Sequence, residues 1–197
     1  MISFLISAIK IIFLLGFLIG IHETGHFLIA KLCKVRVNEF AIGFGPVIWK
    51  KQGKETKYEL RLIPLGGFVN MEGEAEQSEK EGSFTKASIP RRIAIVAAGA
   101  LVNIIFAIMV YFILAMTIRG NLTNAVVGNR VLDADNFGNR LYFASYNTKE
   151  FMLSIAESVK QLFTGKVSSA ELVGPVGISE VVAKTNGFRE FIYIMSA

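Results

Sequence analysis

His22, Glu23 and His26 fall within five residues of one another, as His-Glu-Thr-Gly-His. On a helix the two histidines stand one turn apart on the same face. Both imidazoles can then reach one Zn²⁺, and Glu23 beside them can act as general base on water held there. The setting is unusual for so much charge. Residues 2–21 are almost all Ile, Leu, Phe and Gly, and Phe27, Leu28 and Ile29 resume the apolar run. Ionisable side chains inside a membrane helix cost about 3 kcal/mol each on insertion scales, and they mark functional sites that face the protein interior. The bland alternative is a solvated polar cluster just past the membrane boundary. Glu23-x-x-His26 is also half of a di-iron carboxylate site, but that needs a second Glu-x-x-His. With two histidines in the whole chain, an intrachain di-iron site is excluded. A metal transporter needs a ligand-lined path through several spans, and the second apolar span offers only Asn103.

The elements that must position these residues are written in hydropathy. The 52% hydrophobic content and mean hydropathy of +0.49 lie above the range of soluble domains and point to the membrane. A bilayer core takes roughly 20 apolar residues in a helix. Residues 1–31 supply one span, carrying the histidine motif, and residues 93–118 supply a second, without any charge. No basic n-region precedes the first span and no A-x-A-like site follows it, so a signal peptide is disfavoured. Ala97, Ala98, Gly99 and Ala100 suit close helix packing in lipid. Between the spans, residues 32–92 hold Lys34, Arg36, Lys50, Lys51, Lys54, Lys57, Arg61, Lys86, Arg91 and Arg92. The positive-inside rule places this loop in the cytoplasm and the N-terminus outside. The net charge of +5 belongs to such loops, so no nucleic-acid partner is expected. Lone Cys33 excludes an intrachain disulfide and reads as a small packing residue.

Within the loop, Tyr58, Leu60 and Leu62 alternate as a strand, and Pro64 with Gly66-Gly67 punctuates it. Pro64 predicts an edge or strand end, open to an added strand near residues 58–63. Residues 72–82 form an acidic solvated loop. A polar stretch, 119–148, follows the second span. An amphipathic helix is predicted over Lys149–Phe163, with Phe151, Ile155, Val159, Leu162 and Phe163 on one stripe and Gly165 as C-cap. The GPVGI loop (174–178) completes a segment 149–186, and 187–197 begin a third apolar span. The fold class predicted is membrane α-helical: multi-pass helices with a cytoplasmic, membrane-associated β-hairpin or β-loop insertion.

Beyond the histidine motif, four segments follow one another in an order that resembles a known family. They are NEFAIGFGPVIWKK (38–51), YELRLIPLGGFVNMEGE (58–74), FTKASIPRRIAIVAAGALVN (84–103) and LFTGKVSSAELVGPVGI (162–178). On these the chain resembles the site-2 proteases, zinc intramembrane metalloproteases of peptidase family M50. The resemblance implies Zn²⁺ held by His22 and His26, with Glu23 as general base. It implies that the loop around Tyr58, Leu60 and Leu62 meets the substrate, and that Asn103 binds the substrate backbone. Asn103 reads equally well as interhelical glue. The implied substrate is a single-span membrane protein, of anti-sigma-factor or signal-peptide-remnant type, cleaved within a bacterial inner or plasma membrane.

The chain also departs from the family pattern. Ala100 stands where the family usually has Pro. The aspartate of a late Leu-Asp-Gly motif, which completes the zinc site in the family, is not found in residues 1–197. Asp133 and Asp135, the only aspartates, lie in the polar loop and are not assigned that role. Residues 119–148 are too few for the PDZ domain that relatives carry there. These departures suggest a C-terminally shortened member, and leave open a catalytically inactive membrane protein or scaffold with a two-histidine metal site.

Overall fold

The computed structural model describes residues 2–117, 125–127, 130–132 and 136–164, with single positions 185, 190 and 192. Among the described residues the elements run in the order α1 (Ile2–Leu32), β1 (Val37–Gln52), β2 (Lys57–Met71), α2 (Ile89–Met116), β3 (Ala125–Val127), β4 (Arg130–Leu132) and α3 (Phe137–Phe163). The chain divides into two compact units, residues 1–105 and 106–197, with the boundary inside α2.

Among the described residues two helices, Leu5–Leu32 and Ile89–Met116, are each long and apolar enough to cross a membrane. A core helix of a soluble protein passes the same test of composition but hides its apolar side chains. Here most stay uncovered, among them Ile9, Phe13, Ile93, Val96, Leu101 and Ile105. Such surfaces suit lipid rather than water. On α2, Ile95, Ala98 and Gly99 are buried and Val102 and Asn103 half-buried, which is one face at helical spacing. That face meets α1. A Cβ on Gly25 would stand 2.7 Å from the Ala98 carbonyl oxygen and 3.1 Å from Gly99 Cα, so the helix backbones nearly touch there. Small residues permit this approach, and dispersion between close backbones replaces the hydrophobic drive that lipid cannot supply. α2 is unbroken through Ala100, in keeping with a residue that retains its N–H.

The two long strands make one sheet with an unusual register, antiparallel where 39–42 meet 67–70 and where 49–52 meet 57–60, with 57–60 alongside 39–42 in the same direction. Each of Glu39, Phe40, Ala41 and Ile42 has two partners, one in 57–60 and one in 67–70. Residues 57–60 also pair with 49–52. Pairing lapses across Pro64–Gly66, where the missing N–H of Pro64 is tolerated. The base of the sheet closes a small core of Ala30, Val35, Val37, Met71 and Ile95, with Cys33, Phe27 and Phe84 packed on it. At one face, Glu59 is nearly buried between Lys57 (2.5 Å) and Arg61 (2.8 Å). The hydrogen bond from Lys57 is the main reason its carboxyl is held down at about 2, with Arg61 adding to it against the cost of burial. Phe44, Val47, Ile48, Trp49, Leu62 and Ile63 remain exposed on the hairpin.

α3 starts at Phe137, earlier than the amphipathic pattern from Lys149, because Asn136 caps it by accepting a hydrogen bond from the Gly138 N–H at 2.8 Å. Phe151 stacks on Tyr111 with ring centroids 4.4 Å apart. Asp133, Asp135, Gly165, the GPVGI loop and nearly all of 187–197 lie outside the described residues.

Candidate active site

α1 carries all three motif residues in one regular helix, so the predicted one-turn spacing holds. The Nε2 atoms of His22 and His26 are 3.1 Å apart, and the rings meet edge-on at 72°. Nδ1 of His26 lies 2.7 Å from the main-chain oxygen of Ile95 on α2. A carbonyl only accepts, so Nδ1 carries a proton and Nε2 is the nitrogen turned toward His22. This is the usual support for a ligating histidine, whose second nitrogen is tied to a carbonyl or carboxylate. Two nitrogens on one tetrahedral Zn²⁺, each at about 2.0–2.1 Å, sit about 3.3 Å apart. The observed pair fits that requirement with little adjustment. Among the described residues no group of three or more His, Cys, Asp and Glu side chains forms a metal site. The two imidazoles are therefore the candidate ligands among the described residues.

Glu23 lies half-buried on the neighbouring helix position and faces the sheet. A Cβ added to Gly67 would stand 2.9 Å from Glu23 Cγ and 2.9 Å from the Ala41 oxygen. The hairpin thus packs directly on the would-be base. Thr24, between base and second ligand, donates its hydroxyl to the Gly20 carbonyl at 2.7 Å and adds no further unsatisfied polarity to the helix. Asn103 lies one turn beyond Gly99 on the same face of α2, with its buried Oδ1 lacking a hydrogen-bond partner among the described residues.

The predicted substrate residues are placed differently from the sequence expectation. Tyr58 packs against Phe27 and Phe40, ring centroids 6.0 and 6.4 Å away. Leu60 and Leu62 are exposed. Tyr58 and Leu60 pair on both sides, Tyr58 with Phe40 and Lys51, Leu60 with Ile42 and Trp49. That backbone is the middle of the sheet, which corrects the expectation of an open edge there: Pro64 interrupts pairing beyond the segment, not along it. The arms with a partner on one side only are 49–52 and 67–70, and it is 67–70 that lies against Glu23.

Three contributors were not singled out for the site from sequence. The Ile95 carbonyl leaves no trace in residue type. Gly67 read as turn punctuation, and Gly99 as one small residue in a packing stripe. Their signal was the glycine itself, though nothing in the sequence told packing from chemistry.

Comparison with known proteins follows the same lines. The sequence profile of peptidase family M50 matches residues 10–197. Regulator of sigma-E protease RseP of Escherichia coli is 43% identical over 118 residues, which are 57% of this chain and 26% of that protein. Protease RseP of Yersinia pestis is 32% identical over 203 residues, covering 97% of this chain and 44% of its own length. A protein of Clostridium acetobutylicum, named as a candidate zinc metalloprotease, is 46% identical over 102 residues, 52% of this chain and 30% of that one. The chain thus spans less than half the length of these curated relatives. A histidine pair with a tethered tautomer, an adjoining carboxylate and a profile match over nearly the whole length agree with one another: the chain belongs to peptidase family M50.

Proposed function

We propose that this chain forms the zinc-binding and general-base part of an endopeptidase that hydrolyses peptide bonds of membrane-spanning substrates. The observation that carries the reading is the convergence of the two Nε2 atoms at 3.1 Å, with His26 Nδ1 tied to the Ile95 carbonyl. Zinc bound there supplies a Lewis acid that polarises the scissile carbonyl and renders water acidic near neutral pH. Glu23 takes the proton from attacking water and delivers it to the leaving amine. The substrate is a single-span membrane protein of anti-sigma-factor or signal-peptide-remnant type. Its helix must unwind first, because helical hydrogen bonding shields the peptide. The 67–70 arm, beside Glu23 and paired on one side, receives the unwound segment as an added strand. Asn103 Oδ1 accepts a substrate N–H, and Leu60 and Leu62 offer apolar contacts, with Tyr58 fixing the sheet on α1. In this reading the chain sits in a bacterial inner membrane with its N-terminus outside and residues 32–92 in the cytoplasm.

The test is cleavage of a single-span reporter in bacterial membranes by the parent and by Glu23→Gln. Loss of cleavage with zinc content retained is expected, and cleavage equal to the parent overturns the assignment. A second reading is a membrane protein that binds metal without catalysis, motivated by the two-ligand set among the described residues. It requires zinc binding by the parent with no cleavage in any membrane reporter.

A further inference from the structure

Gly99 is buried on α2 against the histidine pair. A Cβ built on it would stand 2.5 Å from Nε2 of His22 and 2.5 Å from Nε2 of His26, and 2.6 Å from His22 Cδ2. A side-chain Cβ essentially never stands under 3.0 Å from an atom of another residue. The point is equidistant from the two donors, as a metal shared by them must also be, at about 2.0–2.1 Å from each. A methyl here and a metal between the imidazoles therefore compete for one small region.

Simple helix packing does not account for this. Close approach of α1 and α2 is already provided by Gly25, whose absent Cβ faces the Ala98 carbonyl and Gly99 Cα. Gly99's own absent side chain points at ring nitrogens, which are the atoms with chemistry to perform. In a helix interior glycine costs about 1 kcal/mol against alanine, and its neighbours Ala97, Ala98 and Ala100 show that alanine is otherwise accepted along this stretch. Four residues earlier on the same face, the Ile95 carbonyl holds His26. One turn of α2 thus supplies both the tether that aims an imidazole and the vacancy in front of it.

We infer that Gly99 is a positioning residue of the metal site, keeping open the space in which Zn²⁺ joins His22 to His26. The inference rests on the zinc reading above and deepens it by assigning α2 a specific part.

The experiment uses the full 197-residue chain in detergent and measures zinc affinity by chelator competition, with the visible spectrum of the Co²⁺ form as a second readout. Four proteins are compared: parent, Gly99→Ala, Gly16→Ala and His26→Ala. Gly16 is the packing control, since its Cβ would collide with the Pro64 carbonyl of β2, away from the imidazoles. Expected are zinc affinity lowered at least about tenfold in Gly99→Ala, an altered Co²⁺ spectrum, and parent-like affinity in Gly16→Ala. Parent-like zinc binding by Gly99→Ala overturns the inference and leaves the zinc reading intact. Equal losses in Gly99→Ala and Gly16→Ala also overturn it, because packing alone then explains both. Absence of zinc binding in the parent, or binding undiminished in His26→Ala, overturns the zinc reading and this inference together.

Discussion

Nδ1 of His26 donates to the main-chain carbonyl of Ile95 across 2.7 Å, joining the helix that bears the histidine motif to the helix that follows the hairpin. The bond fixes a tautomer and a ring orientation at once. Because its acceptor is backbone, substitution of the Ile95 side chain leaves the acceptor in place.

Ile95→Ala should therefore separate stability from metal affinity. The side chain is fully buried in the core shared by α1, α2 and the sheet. Its truncation should cost about 2–5 kcal/mol, read as a lower midpoint in thermal unfolding. Zinc affinity of the folded protein should stay within a few-fold of the parent. A large loss of zinc affinity without destabilisation contradicts the backbone assignment.

Gly67→Ala should act on the base and spare the ligands. The new methyl meets Glu23 Cγ and the Ala41 oxygen, both within 2.9 Å. Displacing a general base by a fraction of an ångström to one ångström costs up to about a hundredfold in rate. Reporter cleavage should fall by that order while zinc affinity is unchanged. If cleavage persists at the parental rate, the sheet does not position Glu23.

Trp49 is the only tryptophan and is exposed near the outer turn of the hairpin beside Val47 and Ile48. If the hairpin rests in the membrane interface, where Trp is favoured, brominated lipids should quench its fluorescence strongly. Fluorescence unaffected by brominated lipid, with an emission maximum typical of water, places the hairpin off the membrane.

Acid should loosen the sheet through Glu59. Its folded-state pKa of about 2 lies below the unfolded value of about 4.3. Its stabilising contribution is complete above about pH 4.3 and disappears as the pH falls towards 2. Glu72, held down to about 2 mainly by the Ser78 hydroxyl, titrates in the same window. Glu59→Gln should flatten the dependence of unfolding midpoint on pH between 5 and 2 and lower stability at pH 7. An unchanged slope refutes a stabilising role for the Lys57–Glu59–Arg61 cluster.

Much of this was legible in the residues. Helical spacing alone put His22 and His26 together, and hydropathy alone found both long helices. The strand around Tyr58–Leu62 was read correctly as β, but alternation reports which faces a strand shows, not how many neighbours it has. A second partner for Tyr58 and Leu60 depends on β1 pairing with two distant parts of β2, a non-local fact with no local mark. The start of α3 was missed because Asn136 was not recognised as a cap ahead of a polar first turn. The part of the site supplied by α2 was illegible for a different reason: it consists of a carbonyl and a missing side chain, neither of which changes a residue's character.

Residues 39–42 of β1 hold the two arms of β2 simultaneously. A one-residue slip of either arm would turn its side chains to the opposite face, and the other arm shares the same rail. The sheet should therefore behave as a latch with one closed position, opening as a single cooperative unit. Amide protons of 57–60 and 67–70 should exchange together, and the event that frees the exposed turn at Trp49 should be the one that withdraws Gly67 from Glu23.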